Sequence, residues 1–128
     1  MNIYGIGNDI VKIKRLDKIL SKNRLFKSRI FSIKEILNCD KKNLRSACYA
    51  KRFAAKEAFF KALGTGLSKK MKFNEISVNN NKLGKPFLKV TGNSLKIVKR
   101  ILKKNKFNTF LTISDEESYA IATVIILT

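Results

Sequence analysis

Ala50-Lys51-Arg52-Phe53-Ala54-Ala55-Lys56-Glu57-Ala58-Phe59-Phe60-Lys61-Ala62-Leu63-Gly64-Thr65-Gly66 is the stretch on which the fold turns. The pattern predicts one long helix over about residues 44–63, stopped by a glycine C-cap at Gly64. Phe53, Glu57 and Lys61 recur at i, i+4 and i+8 and share one stripe, and the alanines at 54, 55, 58 and 62 let neighbouring elements come close. Arg52 and Lys56 make a second basic pair one turn apart. As plain surface, the stripe is an amphipathic helix with a Glu57–Lys61 pair worth about 0.3–0.5 kcal/mol. As chemistry, a carboxylate among Arg52, Lys56 and Lys61 is a place for a hard divalent cation beside phosphates, provided a second carboxylate joins it.

Working outward, residues 2–11 read as a strand interrupted by Gly5 and Gly7, with Asp9 its one carboxylate. A basic helical region follows over 14–31, and Ser32-Ile33-Lys34-Glu35 is a capping box that starts a short helix ending near Asn38. Beyond Gly66 the period changes. Residues 76–79 and 87–91 read as strands around a turn. Asn93 is expected to cap a helix running through Lys104, and residues 107–114 and 119–127 form two further strands around an acidic turn. The last strand is apolar at nearly every position, so both its faces should be covered, and in a small domain another subunit is one candidate for a cover. The class is α+β, a small antiparallel sheet packed against one long helix and shorter helices, and residues 1–128 form one domain.

Composition narrows the chemistry. The chain carries 28 Lys plus Arg against nine Asp plus Glu, a formal charge of +19, which points to polyanionic partners. With no histidine, His-based triads, His-ligated metals and a His base are all excluded. Cys39 and Cys48 are too few for a disulfide framework or a zinc site and are expected to be idle thiols. No apolar run reaches the roughly 18 residues of a membrane helix, and the N-terminus has no signal-peptide pattern, so a soluble cytoplasmic protein without a membrane partner is expected. Gly5-x-Gly7 lacks the third glycine of a dinucleotide fingerprint, and no phosphate loop occurs. By position alone Asp9 is either a strand-end carboxylate bonded to an amide or lysine, or a metal ligand or base.

Gly5-Ile6-Gly7-Asn8-Asp9-Ile10-Val11, Arg52-Phe53-Ala54-Ala55-Lys56-Glu57-Ala58 through Lys61-Ala62-Leu63-Gly64-Thr65-Gly66, Gly84-Lys85-Pro86, and Thr112-Ile113-Ser114-Asp115 with Tyr119-Ala120 closely resemble, in order and spacing, the holo-acyl-carrier-protein synthases, the small bacterial 4′-phosphopantetheinyl transferases. The resemblance implies their fold and a role in fatty acid biosynthesis. The reaction implied is Mg²⁺-dependent transfer of 4′-phosphopantetheine from coenzyme A to a serine of apo acyl carrier protein, releasing adenosine 3′,5′-bisphosphate. It places the metal on Asp9 and Glu57 and catalysis on Glu57 and Lys61. Coenzyme binding falls on Arg52, Lys56 and Lys61, on the Gly64-Thr65-Gly66 turn and on the Gly84-Lys85-Pro86 loop. Homotrimers with sites between subunits are implied too. Some members carry His where this chain has Asp115, so a role written around that His does not transfer; Asp115 either organises a loop or merely ends the strand. The serine proton would pass to Glu57, or to a water whose pKa the ion lowers.

The basic stretch from Lys12 to Lys34 is either a solvated face or, as the resemblance implies, the dock for the acidic carrier protein, on Arg15, Arg24 and Arg29. The rival class is a small basic nucleic-acid-binding protein. The charge and the cluster of Lys96, Lys99, Arg100, Lys103 and Lys104 permit it, but no nucleic-acid motif is present and Asp9 and Glu57 are left unexplained.

Overall fold

The computed structural model describes residues 1–66 and 70–128. The elements run β1 (Ile3–Lys12), α1 (Ile13–Lys22), α2 (Arg24–Ile30), α3 (Ile33–Asp40), α4 (Arg45–Leu63), a single 3₁₀ turn (Phe73–Glu75), β2 (Ile76–Asn80), β3 (Pro86–Val90), α5 (Gly92–Leu102), β4 (Asn108–Asp115) and β5 (Tyr119–Leu127). β1, β5 and β4 form an antiparallel sheet in that order, and β2 and β3 form a separate antiparallel hairpin. This is the expected α+β arrangement, with α4 as its central helix.

The close seat of β1 on α4 is built by small residues. Gly5 and Gly7 do not break β1. A Cβ at Gly5 would collide with the Ala62 carbonyl, and one at Gly7 with the carbonyl of Ala58. Two strand glycines against two helix alanines thus let the backbones touch, the use of strand glycine that close approach requires. Because side chains alternate along a strand, Asp9 lies on the same side as Gly5 and Gly7 and is aimed at α4. Around the helix runs a core in which Ala54, Ala55, Ala58, Phe59 and Leu63 cluster with Ile76, Val78, Val98, Val124 and Ile126. α4 ends where Gly64 takes φ +85°, a left-handed turn that donates back to the carbonyls of Phe60 and Lys61.

Several local expectations are corrected. The basic region over 14–31 is two helices, because the Asn23 side chain accepts from the Phe26 amide and starts α2 afresh. Asn93 is not the cap of α5. Thr91 is, and the Glu75 carboxylate takes the Ser94 amide at 3.2 Å and the Ser94 hydroxyl at 2.7 Å in place of a local cap. Cys39 and Cys48 are not separate thiols but a disulfide with Cα atoms 5.5 Å apart, since α3 packs onto the first turn of α4. The capping box of Ser32 and Glu35 forms in full.

β5 buries Ala120, Ala122, Val124 and Ile126 on one face only. The opposite face of the sheet stays open: Ile6 is 60% exposed, Ile10 62% and Phe110 53%. Ile6 and Phe110 both pair with Ile125 of β5, an apolar row across three strands, and Ile10 pairs with Ile121 further along the same face. Among the described residues nothing supplies the expected second cover.

Candidate active site

The stripe on α4 and the carboxylate of β1 meet. Lys61 Nζ lies 2.9 Å from Asp9 Oδ1, so Lys61 pairs with the strand rather than with Glu57 on its own helix. Glu57 is half-buried next to them. Burial raises its carboxyl above the usual range, the neighbouring Asp9 charge raises it further, and Lys61 pulls it partly back. Two carboxylates thus repel each other across a gap spanned by one ammonium. Glu57 and Lys61 line a cleft of about 510 Å³ with Phe60, Gly64, Gly66 and Phe73. The Gly64-Thr65-Gly66 turn therefore sits at this cleft, with Thr65 exposed and its hydroxyl donating to the Gly66 carbonyl at 3.1 Å.

The other expected coenzyme-binding residues divide differently. Arg52 lines a second cleft, of about 560 Å³, with Lys42, Lys51, Asn80, Gly84 and Asp115. Its guanidinium donates to Asn80 Oδ1 at 3.1 Å and to Cys48 Sγ at 3.2 Å, while Nε is buried with no hydrogen-bond partner among the described residues. Asn80 in turn donates to the Gly84 carbonyl at 2.9 Å, which ties the Gly84-Lys85-Pro86 loop to Arg52; Lys85 is exposed. At 100° per residue, Arg52 points about 140° away from Glu57 around the helix and about 180° from Lys61. One chain therefore presents two clefts on opposite sides of α4.

Among the described residues Lys56 lines neither cleft. It is 0% exposed, and its ammonium donates to Glu35 Oε1 at 2.7 Å and to the carbonyls of Phe73 and Ile76. An ammonium has three donors and no more. The cluster of Arg52, Lys56 and Lys61 around Glu57 does not form, because the three cations leave the helix in three directions.

Arg15 on α1 and Arg24 and Arg29 on α2 are all exposed, on the helices that carry the basic stretch. Asp115 ends β4 and also pairs with Lys51 at 3.2 Å on the rim of the second cleft. Lys51, Asn80 and Phe73 are site-lining residues that sequence reasoning missed. Asn80 lay hidden in a run of three turn asparagines, and Phe73 carried no local signal.

Among the described residues no group of three or more metal-ligating side chains occurs. Asp9 and Glu57 alone give two hard oxygen donors. That set suits Mg²⁺, which is commonly held by one or two carboxylates plus substrate phosphates rather than by an all-protein cage.

Comparison with known proteins bears on what these clefts serve. Residues 5–124 match the model of the 4′-phosphopantetheinyl transferase superfamily. The chain is 51% identical over 126 residues to a holo-[acyl-carrier-protein] synthase of Pelagibacter ubique (strain HTCC1062), covering 98% of each chain. Its fold is similar to that of the holo-[acyl-carrier-protein] synthase of Neisseria meningitidis, with a TM-score of 0.85, 35% identity, and coverage of 99% of this chain and 100% of the other. It is also similar to the synthase of Bacillus anthracis solved in complex with CoA (3′,5′-ADP), with a TM-score of 0.79, 34% identity, and coverage of 98% and 97%.

Proposed function

The chain belongs to the holo-[acyl-carrier-protein] synthases of the 4′-phosphopantetheinyl transferase superfamily, and from that premise we propose that it moves 4′-phosphopantetheine from coenzyme A to a serine of apo acyl carrier protein in an Mg²⁺-dependent reaction. Adenosine 3′,5′-bisphosphate is the second product, and the reaction serves fatty acid biosynthesis in the cytoplasm. The observation that carries this reading is the meeting of Asp9, Glu57 and Lys61 beside one cleft.

Asp9 and Glu57 are the residues that would hold the cation. The Glu57 carboxyl is raised by burial and then by the neighbouring Asp9 charge, and the second of these is the kind of field a divalent ion relieves. When bound, the ion supplies charge neutralisation at the pyrophosphate. Lys61, exposed at its outer end, turns its ammonium to the phosphate on which negative charge builds. Glu57, its carboxyl raised by burial and by Asp9, is placed to take the serine proton directly or through water. Gly64, Thr65 and Gly66 shape the floor of this cleft.

Arg52, with its unpartnered Nε, and the Gly84-Lys85-Pro86 loop bind phosphate of the nucleotide in the second cleft. Because the two clefts face away from each other, one coenzyme molecule reaches both sets of residues only if a neighbouring copy brings its second cleft to this chain's first. The open face of Ile6, Ile10, Phe110 and Ile121 is the surface such copies would cover, and we read the assembly as a homotrimer with sites between subunits. Arg15, Arg24 and Arg29 would receive the acidic carrier protein.

The test is incubation with coenzyme A, Mg²⁺ and apo acyl carrier protein, read by intact mass. The expected result is a gain of one phosphopantetheine on the carrier, abolished by EDTA and restored by Mg²⁺. An unmodified carrier under saturating substrates would overturn the reading, and modification that persists in EDTA would overturn its metal.

A further inference from the structure

We propose that Lys56 is a positioning residue for the transfer reaction: together with Glu35 it fixes the backbone at Phe73 and Ile76, and so sets the aromatic wall of the cleft that holds Glu57 and Lys61. The inference rests on the assignment of the reaction to that cleft.

Phe53, Lys56, Glu57 and Phe60 fall at i, i+3, i+4 and i+7 on α4 and so share one broad face. Glu57 looks into the cleft, and Lys56, its neighbour in the chain, points inward. The Lys56 ammonium takes the carbonyls of Phe73 and Ile76, which bracket the 3₁₀ turn, at 2.9 and 2.5 Å. Its third bond, at 2.7 Å, goes to Glu35. Glu35 is bonded at both oxygens: Oε1 also accepts the Ser32 amide and Oε2 the Val78 amide, both at 2.9 Å. One buried pair therefore ties together α3, α4, the 3₁₀ turn and β2.

What this holds still is Phe73. Its ring stacks on Phe53 with centroids 6.0 Å apart and meets Phe60 edge-on at 5.2 Å. Phe73 is thus wedged between two rings of α4 and forms the cleft wall with Phe60. A well-packed apolar pair would often serve stability as well as a buried ion pair does. What the ammonium adds is direction, since two carbonyls converge on one point and the turn between them is held in place. Lys56 thereby acts on the reaction without touching substrate.

The experiment compares Lys56→Met, Phe73→Leu, their double variant and Glu35→Gln in the full chain, each assayed well below its own unfolding midpoint. Positioning predicts that Lys56→Met lowers kcat by about tenfold or more with KM for coenzyme A within about threefold, that Phe73→Leu does the same, and that the double variant is no worse than the poorer single. It also predicts faster amide exchange at Glu75 and Val78 than along β1 in Lys56→Met. An unchanged kcat in folded Lys56→Met, a rise in KM for coenzyme A alone, or additive losses with Phe73→Leu would overturn it. If Lys56→Met does not fold, Glu35→Gln carries the test, and an unchanged kcat in both it and Phe73→Leu is the contrary result. Should the wild type transfer nothing, the assignment of function fails, and amide exchange alone decides whether Lys56 holds the wall.

Discussion

Lys56 and Lys61 sit five residues apart on one helix, each on a carboxylate from a distant part of the chain, yet the two pairs do opposite work. Lys56 and Glu35 are sealed: neither is more than 1% exposed, all three Lys56 donors are used, and both Glu35 oxygens accept hydrogen bonds. Lys61 and Asp9 are open, with the Lys61 side chain 56% exposed and a second carboxylate, Glu57, pressing on the pair with no hydrogen bond of its own among the described residues. The lesson is that an ion pair is read by what remains unsatisfied around it. A closed pair fixes geometry; an open pair with a surplus carboxylate has capacity left for a cation and a phosphate.

The comparison breaks first at the open pair. Asp9→Asn and Glu57→Gln should each cut turnover by about 10³-fold or more without loss of folded structure, measured by carrier mass gain and circular dichroism. Near-normal turnover in either at saturating Mg²⁺ would mean that the surplus carboxylate has no chemical role. At the sealed pair the expected damage is to stability. Glu35→Ala leaves a buried ammonium without its counter-charge and should lower unfolding free energy by about 3–5 kcal/mol in denaturant titration. Lys61→Met should leave stability within about 1 kcal/mol of the wild type.

Smaller effects sharpen the contrast. Cys39–Cys48 closes a short loop and staples α3, which carries Glu35, to α4. Its reduction should lower unfolding free energy by about 2–3 kcal/mol from loop entropy, and a midpoint indifferent to reductant would show that the sealed side does not rely on the cross-link. Arg15→Glu with Arg29→Glu should raise KM for carrier protein by about tenfold, leave KM for coenzyme A nearly unchanged, and weaken the wild type's salt dependence. Equal effects on both constants would point to general damage.

The smallest effect is in pH. Burial and Asp9 raise the folded Glu57 carboxyl above its unfolded value of 4.5, so the folded state binds more protons between those two values. In metal-free protein, stability should therefore fall as pH rises through that window, and Glu57→Gln should flatten the fall. A profile that is the same in both proteins would remove the strain assigned to Glu57.

What was legible in the sequence was local. The stop of α4 at Gly64 needs only a left-handed residue, and the Ser32–Glu35 box needs only four neighbours. Both are present as read. The pairing of Asp9 with α4 was half-visible, because Gly5, Gly7 and the alanines of α4 advertise a close approach without saying which strand meets which helix. Spacing groups Lys56 with Arg52 and Lys61, whereas its direction is set by carbonyls of residues 73 and 76 that no helical pattern reveals. Glu35 was read as a cap and is one, but its second oxygen on Val78 and its bond to Lys56 are tertiary. The disulfide escaped for the same reason: two cysteines nine residues apart on different helices meet only once α3 packs on α4.

The most direct test of the central claim is calorimetric titration of Mg²⁺ into the protein saturated with coenzyme A, for the wild type, Asp9→Asn and Glu57→Gln. One ion per chain is expected in the wild type and none in either variant. Undiminished ion binding in both variants would contradict the claim.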